Sequence, residues 1–371
     1  MSPEKTNILT SPTHTTTFAV DGHMSPVKEV SVSGSVSLEG CSDLGEKLGE
    51  DQKEAAFIRR APDMQMGKCR YVRLLTNITY IVGSVILRTT AGKSEILLVK
   101  EMKKNCPGKY LPSGKVMPGE SIEDSVAVVV KHKTGYNCEV NDLISLEVKG
   151  SGWYRFIFMC KATSESPLNE EEEKLESQWF AVDELMKMKD SIRSNDIFRI
   201  LEESKAFTST ETSFPNTFPC SVVREPQRGL YIEFVITKYN MDKSKIEVLV
   251  HKSCKDQIQL LERNDILPTV EFGFEYFFPM VVSKCYRHIL ENGGSQIEIP
   301  TEIIEVSCEP SPVESIDHGI RVRILSPHKP SISKCPIVDQ ARYTWIELTD
   351  PTVLSKLRLN KGQSRPKLHM L

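Results

Sequence analysis

Paired cysteines, long apolar runs and a strong net charge are all missing from this 371-residue sequence. The ten cysteines are scattered without a C-x-x-C pair, which argues against a zinc site or a disulfide framework and favours reduced thiols. No apolar run approaches the roughly 18 residues that span a bilayer, so we predict no membrane partner. The formal net charge of -3 gives no reason to expect direct nucleic-acid binding.

Residues 1–66 have almost no aromatic side chains and are rich in Ser, Thr, Glu and Lys. Such a segment cannot bury enough surface to offset the entropy of ordering, so we predict a disordered tail. Its Ser-Pro steps at Ser2, Ser11 and Ser25 are either phosphorylation sites or a product of composition. The first residues lack the basic and apolar regions of a secretory signal, and we expect a cytoplasmic or nuclear protein.

A first α/β domain is predicted at residues 70–205. Two β-branched, apolar segments at 77–87 and 95–99 flank the turn TTAGKS and predict a β-hairpin. Strands are expected near 143–148 and 153–160, followed by a helical stretch at 182–203 that is interrupted near Lys189. The domain therefore mixes strands and helices around one core.

A second α/β domain is predicted at residues 229–360, after a linker at 206–228 that is rich in Ser, Thr, Pro and Phe. Both halves show the order strand, strand, helix, strand, strand, Trp, helix. This order predicts a divergent internal duplication. The basic tail at 361–371 is expected to be a solvated end.

The chemically informative stretch runs from 111 to 136. Gly114 is followed after five residues by Glu120 and, after seven more, by the run VVVKHK, one residue, Gly135 and Tyr136. This spacing resembles the Nudix box, Gly-x5-Glu-x7-Arg-Glu-apolar-x-Glu-Glu-x-Gly-apolar. The resemblance implies a Nudix fold, a mixed sheet between helices, and it makes 122–133 a helix although its valine-rich centre reads locally as a strand. If the second half is a duplicate, it is Nudix-like as well.

Beyond the box, residues 72–202 are similar to the animal 8-oxo-dGDP phosphatase branch of this superfamily. The segments NITYIV, EILLVKE, YLPSG and WYRFIF carry the similarity. The resemblance implies a nucleoside diphosphate or related nucleotide as ligand and Mg²⁺ as cofactor. It also implies that Tyr110, Leu111, Pro112 and Gly114 shape the nucleotide side of the pocket and that Glu120 lies near the diphosphate.

The carboxylates of the box are missing. Val128 stands where the box has Arg, and the metal-facing Glu positions hold Val129, His132 and Lys133. Mg²⁺ prefers oxygen ligands, which neither valine nor lysine supplies and for which imidazole is a poor substitute. Only Glu120, with Glu123 and Asp124 outside the pattern, is left to bind a cation. Weak or absent hydrolysis is therefore predicted, with Mg²⁺ as cofactor only if the chain is active.

Several alternatives stay open on the sequence alone. Lys133 either replaces the metal electrostatically, so that a nucleotide is bound but not cut, or is an ordinary exposed lysine. The acidic run 170–173 either donates a replacement metal ligand or is solvated surface. The leading hypothesis is a nucleotide-binding or interaction module with weak or no hydrolase activity. One rival is a working, Mg²⁺-dependent nucleoside diphosphate hydrolase that uses Glu120 and carboxylates outside the standard box. The other is a purely structural interaction protein with unknown partners.

Overall fold

The computed structural model describes residues 61–101, 107–164, 176–207, 222–224, 228–240, 244–263, 265–291, 294–309, 318–329, 336, 338–360 and 362–371. The Ser-Pro steps and the acidic run 170–173 lie outside these ranges. Within them, no helix is long and apolar enough to cross a membrane.

The first half contains the predicted hairpin, whose turn holds Ala91 and Gly92 with φ of 50° and 76°. The elements of this half are β1 (Met64–Met66), β2 (Thr79–Thr90), β3 (Lys93–Glu101), β4 (Gly108–Tyr110), β5 (Ser113–Lys115), α1 (Ile122–Thr134), β6 (Cys138–Lys149), β7 (Trp153–Ala162), β8 (Glu176–Ala181) and α2 (Asp196–Ser204). Short 3-10 helices occupy Cys69–Tyr71, Val182–Ser191 and Lys205–Phe207.

The second half contains the remaining elements. They are β9 (Val222–Arg224), β10 (Gly229–Tyr239), β11 (Ile246–His251), α3 (Gln259–Glu262), β12 (Thr269–Phe272), α4 (Phe278–Ile289), β13 (Glu302–Glu309), β14 (Gly319–Pro327), β15 (Tyr343–Leu348), α5 (Pro351–Lys356) and β16 (Lys367–Met370). The α/β class predicted for both halves is confirmed.

Strand pairing repeats between the halves. In the first, β2 is antiparallel to β3 and β5 and parallel to β7, while β6 pairs with β7 and β3 with β8. In the second, β10 is antiparallel to β11 and β12 and parallel to β14, while β13 pairs with β14 and β11 with β15. The predicted repetition of element order is therefore matched by a repetition of pairing partners.

A trio of side chains also recurs at matching register. Arg88 forms an ion pair with Glu95 at 2.7 Å, and its guanidinium lies 4.0 Å from the ring centroid of Trp179. The second half repeats the trio as Lys238, Glu247 and Trp345. In each half, the trio links the two strands of a hairpin to the neighbouring strand that carries the tryptophan: β2 and β3 with β8, and β10 and β11 with β15. This shared detail supports a common origin of the halves.

The segment predicted as a solvated basic tail is instead part of the sheet. The β16 strand lies parallel to β6 and touches β13 through the pair Glu302 and Lys367. Leu368 is buried, and Glu302 forms ion pairs with Arg365 at 2.8 Å and with Lys367 at 2.7 Å. The prediction failed because the basic side chains have acidic partners that are distant in sequence.

Two further short strands fall inside predicted irregular segments. Met64–Met66 lies in the segment predicted as disordered and pairs in parallel with β12. Val222–Arg224 lies in the predicted linker and pairs in parallel with β13. The hydrophobic core runs through both halves, from Tyr80 and Phe156 to Phe234.

Candidate functional site

A pocket of about 290 Å³ opens at the first half, where β2, β5, β7 and α1 meet. It combines two aromatic rings with four basic side chains. Its lining residues are Ile81, Tyr110, Ser113, Gly114, Lys115, Lys133, Trp153, Arg155 and Arg193.

Strand register explains how the lining assembles. Ile81 on β2 pairs with Lys115 on β5 and with Arg155 on β7, which places the three side by side. Trp153 precedes Arg155 by two residues, so both side chains lie on the same face of β7. Arg193 adds a cation whose guanidinium is 4.3 Å from the ring centroid of Tyr110.

The α1 helix forms another side of the pocket. The prediction that 122–133 is helical is confirmed. Ser121 caps its start, because its hydroxyl accepts a hydrogen bond from the Asp124 amide at 3.0 Å. Gly135 ends it in the left-handed conformation with φ of 75°. These caps, and the burial of Val126 and Val130, outweigh the modest cost of β-branched residues in a helix.

The four altered box positions point in different directions. Val128 and His132 are exposed and do not line the pocket. Val129 packs over Gly114, where an added Cβ would come within 2.5 Å of Val129 Cγ2. Lys133, one helical turn later, lines the pocket. Only Lys133 of the four therefore brings its chemistry to the pocket.

Arg155 is held at the pocket by two carboxylates and a phenol. Its Nε donates to Glu147 Oε2 at 2.6 Å, its Nη1 donates to Tyr110 Oη at 2.7 Å, and its Nη2 pairs with Asp196. Burial would raise the pKa of Asp196, but hydrogen bonds from Ser194 and Arg155 and the charge of Arg155 hold it below its usual value. These contacts fix the guanidinium of Arg155 in the wall of the pocket.

Comparison with known proteins gives the family. The NUDIX domain profile matches residues 79–199. The Caenorhabditis elegans protein named "Putative nudix hydrolase 1" is 44% identical over 316 residues, covering 84% of this chain and 86% of that protein. This chain belongs to the Nudix family. The fold predicted from the box is thereby confirmed.

More distant Nudix relatives also match. The 8-oxo-dGDP phosphatase NUDT18 of Danio rerio is 29% identical over 314 residues, covering 80% of this chain and 89% of that protein. Among solved structures, a NUDIX hydrolase from Nitrosomonas europaea aligns with a TM-score of 0.31 and 23% identity, over 35% of this chain and 90% of that chain.

Nudix hydrolases typically use Mg²⁺, and the residues of this box do not fit that ion. Ser125 Oγ donates to Glu120 Oε2 at 2.6 Å, and the Met117 amide donates to the same oxygen at 3.3 Å, so Glu120 ties its loop to α1. Glu123 accepts from the Val222 amide at 3.1 Å. Across the described ranges, no three His, Cys, Asp or Glu side chains gather as a metal-ligand cluster.

The residues that the resemblance placed at the nucleotide fall into two groups. Tyr110, Gly114 and Lys133 line the pocket. Leu111 is buried in the core, the Pro112 carbonyl accepts from the Ser84 amide at 3.0 Å, and neither they nor Glu120 belongs to the lining.

Sequence reasoning gave no role to Lys115, Trp153, Arg155 or Arg193, although all four line the pocket. One of them carries a usable pattern. Arg155 is a lone cation inside the apolar strand WYRFIFMC, and a charge at such a position needs buried partners or a ligand. Lys115 and Trp153 reach the pocket through strand pairing and Arg193 through a loop, and residue spacing reveals neither.

At the corresponding positions, all of which the structure describes, the second half does not repeat this combination of cations. Tyr231 pairs with Glu271 and Arg321 just as Ile81 pairs with Lys115 and Arg155. Glu271 reverses the charge of Lys115 there. Arg321 is buried against Glu233.

The α4 helix corresponds to α1, since it starts seven residues after Glu271 as α1 does after Lys115. Ile289 therefore stands at the position of Lys133 and Cys285 at that of Val129, both buried. The basic pocket is a feature of the first half.

Proposed function

We propose that this chain binds a nucleoside diphosphate, or a related nucleotide, in the basic pocket without a metal ion. In this proposal it hydrolyses the nucleotide weakly or not at all. The observation that carries the proposal is Lys133, a cation that lines the pocket from a position where the Nudix box has a metal-facing Glu. A lysine ammonium offers positive charge to phosphate oxygens without the ligand set that Mg²⁺ needs.

The rest of the lining suits a nucleotide. Lys115, Lys133 and Arg193 supply positive charge, and Trp153 and Tyr110 supply aromatic surface for a base. The pocket volume of about 290 Å³ is at the lower end of small-molecule sites, which favours partial enclosure of the ligand. The relatives named 8-oxo-dGDP phosphatase support a nucleoside diphosphate as the ligand class.

Calorimetric titration with dGDP and 8-oxo-dGDP in the presence of EDTA tests the proposal. We expect saturable binding that weakens about tenfold or more in Lys133→Ala, because a charge-assisted phosphate contact is lost. The matched control is Lys131→Ala, an exposed lysine of the same helix outside the pocket, which should bind as the unmodified chain does. Absence of binding, or equal losses in the two variants, would overturn the proposal.

An active Mg²⁺-dependent nucleoside diphosphate hydrolase is the second candidate. It is favoured by the similarity to proteins named 8-oxo-dGDP phosphatase and by the retention of Glu120 in the loop before α1, with Glu123 in the first turn of that helix. Release of monophosphate from 8-oxo-dGDP is measured with Mg²⁺ and with Mn²⁺. Metal-dependent turnover that disappears in Glu120→Gln would establish this candidate. The absence of turnover with either ion would exclude this activity on 8-oxo-dGDP.

A further inference from the structure

A row of charged side chains connects the pocket to the C-terminal strand. Arg155 on β7 pairs in register with Glu147 on β6, and Glu147 pairs in register with His369 on β16. Residues at paired positions of neighbouring strands lie on the same face of the sheet. His369 therefore lies two strands away from Arg155, with Glu147 on the strand between them.

Glu147 is the centre of this row and is completely buried. Its Oε2 accepts from Arg155 Nε at 2.6 Å, and its Oε1 pairs with Arg199 Nη2 from α2. A buried carboxylate requires its cationic partners, because an unpaired charge in the interior is costly. Arg199 helps to fix the orientation of the Glu147 carboxylate, and that orientation in turn sets the position of the Arg155 guanidinium.

Arg199 is fixed in turn by α2 and β16. Its Nη1 donates to Glu203 Oε1 at 3.0 Å, and His369 Nε2 lies 2.9 Å from Glu203 Oε1 and 2.5 Å from Arg199 Nη1. Burial would raise the pKa of Glu203, but its contacts with His369 and Arg199 hold it below its usual value. His369 Nε2 therefore contacts both Glu203 and Arg199, as a donor to the carboxylate or as an acceptor from the guanidinium that pairs with Glu147.

We propose that His369 is a positioning residue for the nucleotide pocket, acting through Arg199, Glu203 and Glu147 on the guanidinium of Arg155. The inference rests on the proposed nucleotide binding and adds a specific dependence on the C-terminal strand. A purely structural ion-pair network is the competing explanation. That network would stabilise β16 without changing how Arg155 meets the ligand.

Titration with dGDP in EDTA separates the two explanations. We expect His369→Ala to raise the dissociation constant about fivefold to tenfold, as for coupled residues of one network. His369→Gln, which keeps one polar group toward Glu203 or Arg199, should recover part of the affinity. The matched control is Lys367→Ala, on the same face of β16, which removes the ion pair with Glu302 and leaves the row intact.

A double-mutant cycle tests whether the effect passes through Arg155. In an Arg155→Lys background, which loses the fork-shaped donor set, His369→Ala should change the dissociation constant by less than about twofold. Thermal unfolding of each variant checks that it is folded. Equal weakening in Lys367→Ala, a full His369 effect in the Arg155→Lys background, or an unchanged affinity in His369→Ala would overturn the inference. If the unmodified chain binds no dGDP, the proposed function fails and this inference fails with it.

Discussion

Gly114 and Val129 touch where the β5 strand leads into the helix loop, and their contact explains why this glycine is present. A Cβ at position 114 would come within 2.5 Å of Val129 Cγ2. Valine is stiff about χ1 and cannot rotate away freely. The close approach is steric, so a smaller partner should relieve it.

We predict that Gly114→Ala lowers the free energy of unfolding by about 1–3 kcal/mol through overpacking. Val129→Ala in the same chain should recover a large part of this loss, because it removes the colliding methyl groups. Urea unfolding of the two single variants and the double variant measures the interaction. Strictly additive losses would contradict the steric explanation.

Residue spacing could predict part of the site and no more. The box frame identified Gly114 and Lys133, because both belong to one contiguous motif with fixed spacing. Lys115, Trp153 and Arg193 come together through strand register and a loop. Register depends on partners far away in the chain, and a single sequence does not encode it in a readable pattern.

Long periodic elements were predictable, and short strands were not. The α1 helix was predicted from the box against its own β-branched pattern, and the first helix in the element order predicted for the second half is α4, with Pro279 in its first turn. The β1, β9 and β16 strands have three or four residues each. So few residues carry no clear alternation, and their pairing partners come from other parts of the chain.

The β1 strand is anchored by a buried carboxylate just before it. Asp63 Oδ2 accepts from the Thr269 amide at 2.8 Å and lies 3.0 Å from His251 Nε2, while Oδ1 accepts from Arg342 at 2.6 Å. Burial would raise the pKa of Asp63, but His251 and the Thr269 amide outweigh burial and hold it below its usual value. The charged form is therefore the one that stabilises the folded chain.

The sign of the pH effect follows from this lowered pKa. The contribution of Asp63 is present above the unfolded pKa of about 3.9 and is lost as the pH falls through the lower folded value. We predict that Asp63→Asn is about 3 kcal/mol less stable at pH 7, because it leaves buried partners unpaired. Its stability should then fall less than that of the unmodified chain between pH 5 and pH 3. Urea midpoints at these pH values measure both effects, and parallel pH curves would contradict the assignment.

At the scale of the whole molecule, two halves with the same pairing scheme have diverged in chemistry. The first carries Lys115, Lys133 and Arg155 around a pocket, while the second has Glu271, a buried Ile289 and a buried Arg321 at the corresponding positions. The element order of the sequence predicted a duplication, which the repeated pairing scheme supports. It could not predict that β16, at the C-terminal end, lies between β6 and β13 and so joins the halves.

In the proposed function, Lys133 takes the place of the metal ion. The most direct measurement is the ratio of dGDP dissociation constants in EDTA and in excess Mg²⁺, determined by calorimetry on the full chain. We predict a ratio within about threefold of one, since the cations of the pocket neutralise the phosphates without Mg²⁺. Binding that is absent in EDTA and appears only with Mg²⁺ would contradict this account.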